Sequence, residues 1–477
     1  MIRLHPEQLN GKLQFMHDYI SAQNAADGSK MDANANVTQK NIATMEAEIM
    51  KDFFVQINRA QVSRKIAEIF DQSVADEYIR QIEAHEIYVH DETSLKPYCV
   101  SVTLYPFLLD GLSKLGGESK APQHLASFCG SFINLVFAIS AQFAGAVATV
   151  EFLTYFDYFA RKDYGDDYLE THGKEIANHM QQVVYSINQP AAARGYQSVF
   201  WNISVYDQYY FDAMFGDFVF PDFSKPVWAS VAKLQNFFLK WFNQERTKAV
   251  LTFPVVTAAM LTDGGKCKDT VFADEMAKEL AEGNSFFVYL SDNPDSLASC
   301  CRLRNAIEDR TFSYTLGAGG VATGSINVIT INMNRLEQDG RDLAAEVAKI
   351  HKYQYAYRKL MEEYQAAGML PVYDAGFITL DKQFLTIGLN GVVEAAEHCA
   401  YPIGNNNDYK EFLAELLGIF KAKNKEALQK YGYRFNTEFV PAENLGVKNA
   451  KWDREAGYPA QRDCFNSYFS RVEEDTL

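Results

Sequence analysis

The run Ser291–Asn305, SDNPDSLASCCRLRN, decides how the chain is read. It follows the apolar stretch FFVYL (Phe286 to Leu290) and passes through polar, proline-containing SDNPDS. It then reaches two adjacent cysteines, Cys300 and Cys301, just before Arg302, Leu303 and Arg304. An apolar run followed by turn-forming residues predicts a strand that enters a loop. Adjacent cysteines make poor zinc ligands, because tetrahedral sites use spacings such as C-x-x-C that let both thiolates converge. Two readings remain: thiol chemistry, or two small buried apolar side chains, a common fate of cysteine.

Outward from this run, strands and helices alternate. Upstream, VLTFPVVTAAML (Val250 to Leu261) predicts a buried strand with Pro254 near its end or at a bulge, and VFADEMAKELAEG a short helix closed by Gly283. EIANHMQQVVYSI and WASVAKLQNFFLKWFN predict helices, and IYVH (Ile87 to His90) and YCVSVTLY extended segments. Downstream, TLGAGGVATGS lacks G-x-G-x-x-G spacing and leads into a strand, so it predicts a turn rather than a dinucleotide loop. INVITINMN, FITL and FLTIGLNG predict extended runs. Leu343, Val347, Ile350, Tyr353, Tyr357 and Leu360 mark a long helix, and DYKEFLAELLGIFKAKNKEALQKYG another. Alternation through residues 85–445 predicts an α/β architecture with much parallel pairing.

Residues 1–84 carry a helical period, seen in Val62, Ile66, Ile69, Phe70, Val74, Tyr78 and Ile82. They are expected to form a helical region packed on a domain spanning 85–477. FINLVFAISAQFAGAVATV (Phe132 to Val150) is apolar enough to imitate a membrane span, but Asn134, Ser140, Gln142 and Thr149 interrupt it. A buried core helix is expected there. The chain has 477 residues, 48% of them apolar, and a net charge of −16. That charge excludes a broad basic surface for nucleic acid, while leaving room for a nucleotide held by a few local donors. Seven irregularly spaced cysteines make no secreted disulfide framework, and no apolar core of signal-peptide length opens the chain, so cytoplasm is expected.

Further fragments carry polar chemistry. His90-Asp91 ends an extended run and is followed by Cys99 on the next. RGYQSVFWNIS (Arg194 to Ser204) joins a cation to amides, and VPAENLG (Val440 to Gly446) closes a late strand. Taken singly, His90 reads as a core or turn histidine, Arg194 as a surface ion-pair partner and Glu443 as a loop acid. Taken together with DANANVTQKN (Asp32 to Asn41), EIYVHDETSLKPYCV, QPAAARGYQSVFWNIS, NPDSLASCCRLRN, GSINVITINMNRL and CFNSYF (Cys464 to Phe469), the chain resembles the anaerobic (class III) ribonucleotide reductases of the glycyl-radical enzyme family. The fragments follow the family's order over essentially the whole chain.

The resemblance implies a ten-stranded α/β barrel of two parallel five-stranded halves, with the cysteine loop near 291–305 at its centre. It implies thiyl-radical reduction of ribonucleoside triphosphates to deoxyribonucleotides. Cys301 matches the radical cysteine and Cys99 the cysteine that faces it across the substrate. His90, Asp91, Ser299, Cys300 and Arg302 are expected beside the substrate, with Pro441, Ala442, Glu443 and Asn444 in a loop that holds phosphates. Expected partners are dNTP or ATP effectors, a radical-SAM activase, formate or a redoxin as reductant, and a second copy of the chain. No nucleic acid and no membrane are expected.

Two family features are not matched. The glycyl-radical motif RVxGY and its four-cysteine zinc site have no counterpart after Cys464, where the chain ends SRVEEDTL, and no C-x-x-C occurs. An N-terminal ATP cone is also missing. The expectation is a barrel that binds no zinc or other cofactor by itself and is inactive without a glycyl-radical segment. At the reductant positions Ser299 stands where formate users often have Met, and Ser325 or Asn327 falls where they have Asn. A non-catalytic nucleotide-binding homologue is the competing reading, and the presence of both thiols counts against it. A glycyl-radical enzyme for a non-nucleotide substrate is disfavoured by VPAENLG and RGYQSVFWN.

Overall fold

A computed structural model describes residues 5–22, 40–190, 197–292, 298–299, 303–304, 321–439 and 444–466. In chain order its strands are β1 (Ile87–Val89), β2 (Cys99–Ser101), β3 (Val147–Ala148), β4 (Trp201–Tyr206), β5 (Val255–Asp263), β6 (Lys266–Cys267), β7 (Phe287–Ser291), β8 (Ala298–Ser299), β9 (Leu303–Arg304), β10 (Thr323–Asn332), β11 (Gln383–Asn390) and β12 (Phe435–Phe439). The chain divides into two compact units. One holds Cys99–Gly324 and Tyr364–Gln383; the other holds Met1–Tyr98, Ser325–Glu363 and Phe384–Leu477.

The Cys99–Gly324 unit is built on five parallel strands in the order β2-β3-β4-β5-β7, with β6 turning back antiparallel on β5. Parallel strands need crossovers, and the sequence supplies helices for them: Leu125–Ser140, Phe152–Tyr164, Tyr168–Ile187, Gln208–Phe215, Trp228–Arg246 and Thr270–Ala281. Burial follows the α/β rule that such strands are covered on both faces. Every residue of β2, β3 and β4 is buried. An aromatic cluster of Phe128, Phe132, Phe152 and Trp201 fills the layer between helices and sheet, with Trp201 5.7 Å from Phe132 and 5.3 Å from Phe152, ring centre to ring centre.

In the other unit β10 lies beside β11, β11 pairs parallel with β12, and β1 runs antiparallel along β10. Helices Ile42–Ile69, Gln72–Glu83, Leu343–Ala366, Asn407–Tyr431 and Leu445–Glu455 accompany them. The predicted helical character of the first 84 residues holds among those described. Helix Ile42–Ile69 is capped by Asn41, whose side chain accepts from the Thr44 N–H, and helix Gln72–Glu83 by Asp71 in the same way from Val74. A buried Tyr78–Tyr353 contact joins Gln72–Glu83 to the long helix.

Three expectations about elements are corrected. The apolar run through Val150 is not one helix: the helix stops at Ser140, and Val147–Ala148 is strand. The chain bends at Ala144 and Gly145, and the β-branched residues beyond them take extended backbone between β2 and β4. FITL is not a strand either; Leu380–Lys382 form a single 3₁₀ turn, and extension begins at Gln383. The strand expected from Val250 begins only at Val255, directly after Pro254, which has no N–H to give a neighbouring strand. No helix among the described residues is long and apolar enough to cross a membrane.

Candidate active site

Cys99 opens β2 and is buried at 1% exposure. The Ala146 N–H donates to its Sγ at 3.3 Å, while the Val100 N–H donates to the Ala146 carbonyl at 3.0 Å, so the thiol is held by the strand that pairs with its own. Its carbonyl accepts from Gln383 Nε2 at 3.0 Å, and Tyr373 Oη donates to Gln383 Oε1 at 2.5 Å. Gln383 and Tyr373 are both buried, so this chain fixes the amide's orientation: oxygen toward the tyrosine, nitrogen toward Cys99. Gly324 presses against the same carbonyl. A Cβ there would lie 2.2 Å from Cys99 O, closer than any real contact, so only glycine permits this approach.

Strand register extends the site sideways. Val100, Val147 and Trp201 share one row, and Ser101, Ala148 and Asn202 the next. Trp201 faces the helices, where its Nε1–H donates to Thr149 Oγ1 at 2.8 Å. Side chains alternate along a strand, so Asn202 faces the other way, as do Cys99 and Ser101 relative to Val100. The face opposite the helices thus carries Cys99, Ser101, Ala148 and Asn202, with Ser204 and Thr257 following in register. Ser101 is fully buried and Asn202 is 2% exposed, yet Ser101 Oγ, Asn202 Oδ1 and Asn202 Nδ2 find no hydrogen-bond partner among the described residues.

The cysteine-loop backbone reaches the same unit. β8 and β9 form an antiparallel hairpin in which Ser299 opposes Leu303, and β8 comes within 8 Å of β4 and β5, measured between Cα atoms. Cys300, Cys301 and Arg302 fall between its arms and lie outside the described residues, as do Pro441, Ala442 and Glu443. Ser299 is placed by its backbone alone.

Three other expected residues belong to the second unit. His90 is part of its framework: its N–H donates to the Val328 carbonyl, its Nε2 sits 2.8 Å from Thr330 Oγ1, and Tyr88 and Tyr98 meet its ring edge-on. Asp91 takes a left-handed turn conformation, φ 51°, beyond β1. Asn444 stands at the start of helix Leu445–Glu455, which Gly446 allows to pack closely on the later chain; a Cβ at 446 would meet Phe465 O at 2.4 Å and Cys464 Sγ at 2.9 Å.

Sequence reading missed Gly324, Gln383, Ser101 and Asn202 as individuals. Asn202 had a visible signal, an amide in the middle of the otherwise apolar run FWNISVY. Gln383 had none, because its partner lies 284 residues away. One further buried acid adjoins the strand ends. Glu151 accepts from the Leu104 N–H and from Thr103 Oγ1, and burial pushes its carboxyl up to about 8.

With this geometry in place, the comparisons are specific. The family model for anaerobic ribonucleoside-triphosphate reductase matches residues 46–476. The fold matches the anaerobic ribonucleotide reductase of Thermotoga maritima with citrate in the active site, at 26% identity and TM-score 0.82, over 98% of this chain and 84% of that one. It matches the same enzyme with dATP bound in the specificity site at 27% identity and TM-score 0.83, over 97% and 78%. A further structure described as an anaerobic ribonucleotide reductase matches at 26% identity and TM-score 0.82, over 97% and 74%. No curated protein matches the chain. The chain belongs to the anaerobic ribonucleoside-triphosphate reductase family, oxidoreductases that reduce ribonucleotides.

Proposed function

We propose that ribonucleoside triphosphates are reduced here through two thiols, Cys301 and Cys99. Cys301 would give its hydrogen atom to a glycyl radical and, as a thiyl, would take the ribose 3′ hydrogen, which no side chain could remove as a proton at neutral pH. The 2′-hydroxyl then leaves as water, and Cys99 supplies a hydrogen from the opposite side. The 3′ hydrogen returns from Cys301 at the end. The net two electrons come from formate, oxidised to carbon dioxide with one proton released and a second drawn from solvent, or from the thiol pair, which gives both electrons and both protons and whose disulfide a redoxin then reduces.

The observation that carries this reading is the setting of Cys99. Its sulfur is buried and fixed by a backbone donor, with the strand anchored from behind by Gln383 and Gly324. A radical site must exclude water and hold reacting atoms in place, and this setting meets both demands. The helix N-terminus at Leu445 supports the phosphate role of residues 441–444, since its unpaired N–H groups attract anions without a basic patch.

Effector binding follows from the relatives: one Thermotoga maritima structure holds dATP and CTP together. We assign this chain the same ligand classes, a cytoplasmic setting where thiols stay reduced, and activation by a radical-SAM activase. A homodimer is proposed through helices Pro6–Ser21 and Ile42–Ile69, whose Leu9, Leu13, Ile20, Phe53, Phe54 and Ile57 are all at least 40% exposed. Sedimentation should give twice the 53.9 kDa chain mass, and Phe53→Glu with Phe54→Glu should return it to one. The reading itself is tested by Cys99→Ser: nucleotide binding should persist while deoxyribonucleotide formation disappears. Loss of binding in a folded Cys99→Ser chain would contradict it.

A further inference from the structure

Ser101 and Asn202 hold three hydrogen-bonding atoms that no group among the described residues uses, although both side chains are at least nine-tenths buried. An unpaired buried amide or hydroxyl lowers stability, and alanine or leucine would fill either place at less cost. Their positions are not scattered. They share a strand row with Ala148 between them, so the two Cα atoms are ~10 Å apart and, on the strands, a methyl group stands in the interval. Cys99 lies two residues before Ser101 on the same face, ~7 Å away.

The chemistry of the row narrows the ligand. Strands β2, β3, β4 and β5 read CVS, VA, WNISVY and VVTAAMLTD, with no Lys, Arg or His. A phosphate would find no cation on these strands, whereas a neutral polar group suits them. A carboxamide sets an acceptor beside a donor and so matches two neighbouring hydroxyls, one donating and the other accepting. We propose that Ser101 and Asn202 bind the ribose hydroxyls of the substrate, Ser101 on the side nearer Cys99 and Asn202 across the 2′,3′-diol. The assignment rests on the reductase reading, and it makes these two residues the determinants that select a ribonucleotide over a sugar without hydroxyls.

The test is anaerobic calorimetry on the full chain, with dATP present throughout to fill any effector site. CTP and 2′,3′-dideoxy-CTP are titrated into wild type, Ser101→Ala and Asn202→Leu. Asn202→Leu should weaken CTP about tenfold, the loss of roughly one hydrogen bond's worth of affinity. Dideoxy-CTP should change less than about twofold, and the melting temperature should hold or rise, because unpaired polar atoms have been removed. Asn202→Ala should repeat the affinity pattern where leucine is too large. Equal weakening of both nucleotides, unchanged CTP affinity, or a lower melting temperature with CTP binding intact would overturn the proposal. So would a CTP complex in which Asn202 meets only ordered water. A failed reductase reading looks different: wild type then forms no dCTP under anaerobic turnover conditions, whatever the Asn202 variants do to CTP binding.

Discussion

At Gly324 one hydrogen atom stands where a methyl group would sit 2.2 Å from the Cys99 carbonyl. That carbonyl is also held by Gln383, so it cannot yield without moving β2. Gly324→Ala should therefore destabilise the fold by about 1–3 kcal/mol, the usual cost of overpacking, and lower turnover further than stability. Urea denaturation of the variant beside wild type reads the first effect. Glu151 gives a pH signature. Desolvation raises its folded pKa to about 8, against ~4.3 in an unfolded chain. Between those values the folded state binds the extra proton, so stability falls as pH rises and the contribution is gone above about 8. Glu151→Gln keeps an oxygen for the Leu104 N–H and removes the titration. Melting temperatures between pH 5 and 9 should fall less steeply for Glu151→Gln than for wild type; identical slopes would show Glu151 to be ionised throughout. Neither residue could be chosen from sequence, since a glycine or a glutamate declares its partner only when segments distant along the chain are brought together.

At the scale of elements, patterning was legible where one force dominated. The buried strands β4, β5, β10 and β11 appear as short apolar runs bounded by turns, and the long helices by their period. Reading failed where packing overrode composition. Phe132–Val150 is largely apolar, yet Val147–Ala148 near its end is recruited as β3 because β2 and β4 need a strand between them. Helix Leu445–Glu455 shows a different limit. Its Asp453 is fully buried and receives Asn332 from the end of β10 and Asn334 and Arg335 from the short helix Met333–Gln338 that follows it, roles that sequence alone leaves invisible. Asp453→Ala strands a buried guanidinium. It should cost about 3–5 kcal/mol and loosen the helix whose N-terminus follows the 440–444 segment, weakening nucleotide binding as well. Hydrogen exchange across residues 445–455 should rise in the variant, and unchanged protection would show the helix to be held by other contacts.

For the molecule as a whole, architecture and chemistry were legible for different reasons. Alternating strands and helices announced an α/β fold by physics alone, and the structure returns five parallel strands in one unit. The thiol chemistry came from ordered fragments rather than from spacing, because Cys99 and Cys301 share no local pattern. What no fragment conveyed is the support around Cys99: Gly324, Gln383 and Tyr373 converge from two later crossings of the chain. The net charge of −16 adds a constraint, since a triphosphate approaches an acidic protein and must be held by local N–H groups. The decisive measurement is anaerobic conversion of CTP to dCTP by the full chain. The reaction contains radical-SAM activase, S-adenosylmethionine, reductant, a dNTP effector and a glycyl-radical segment supplied in trans. Wild type should form dCTP, while Cys301→Ser and Cys99→Ser form none and still bind CTP. Formation of dCTP by the Cys301→Ser chain would contradict the account.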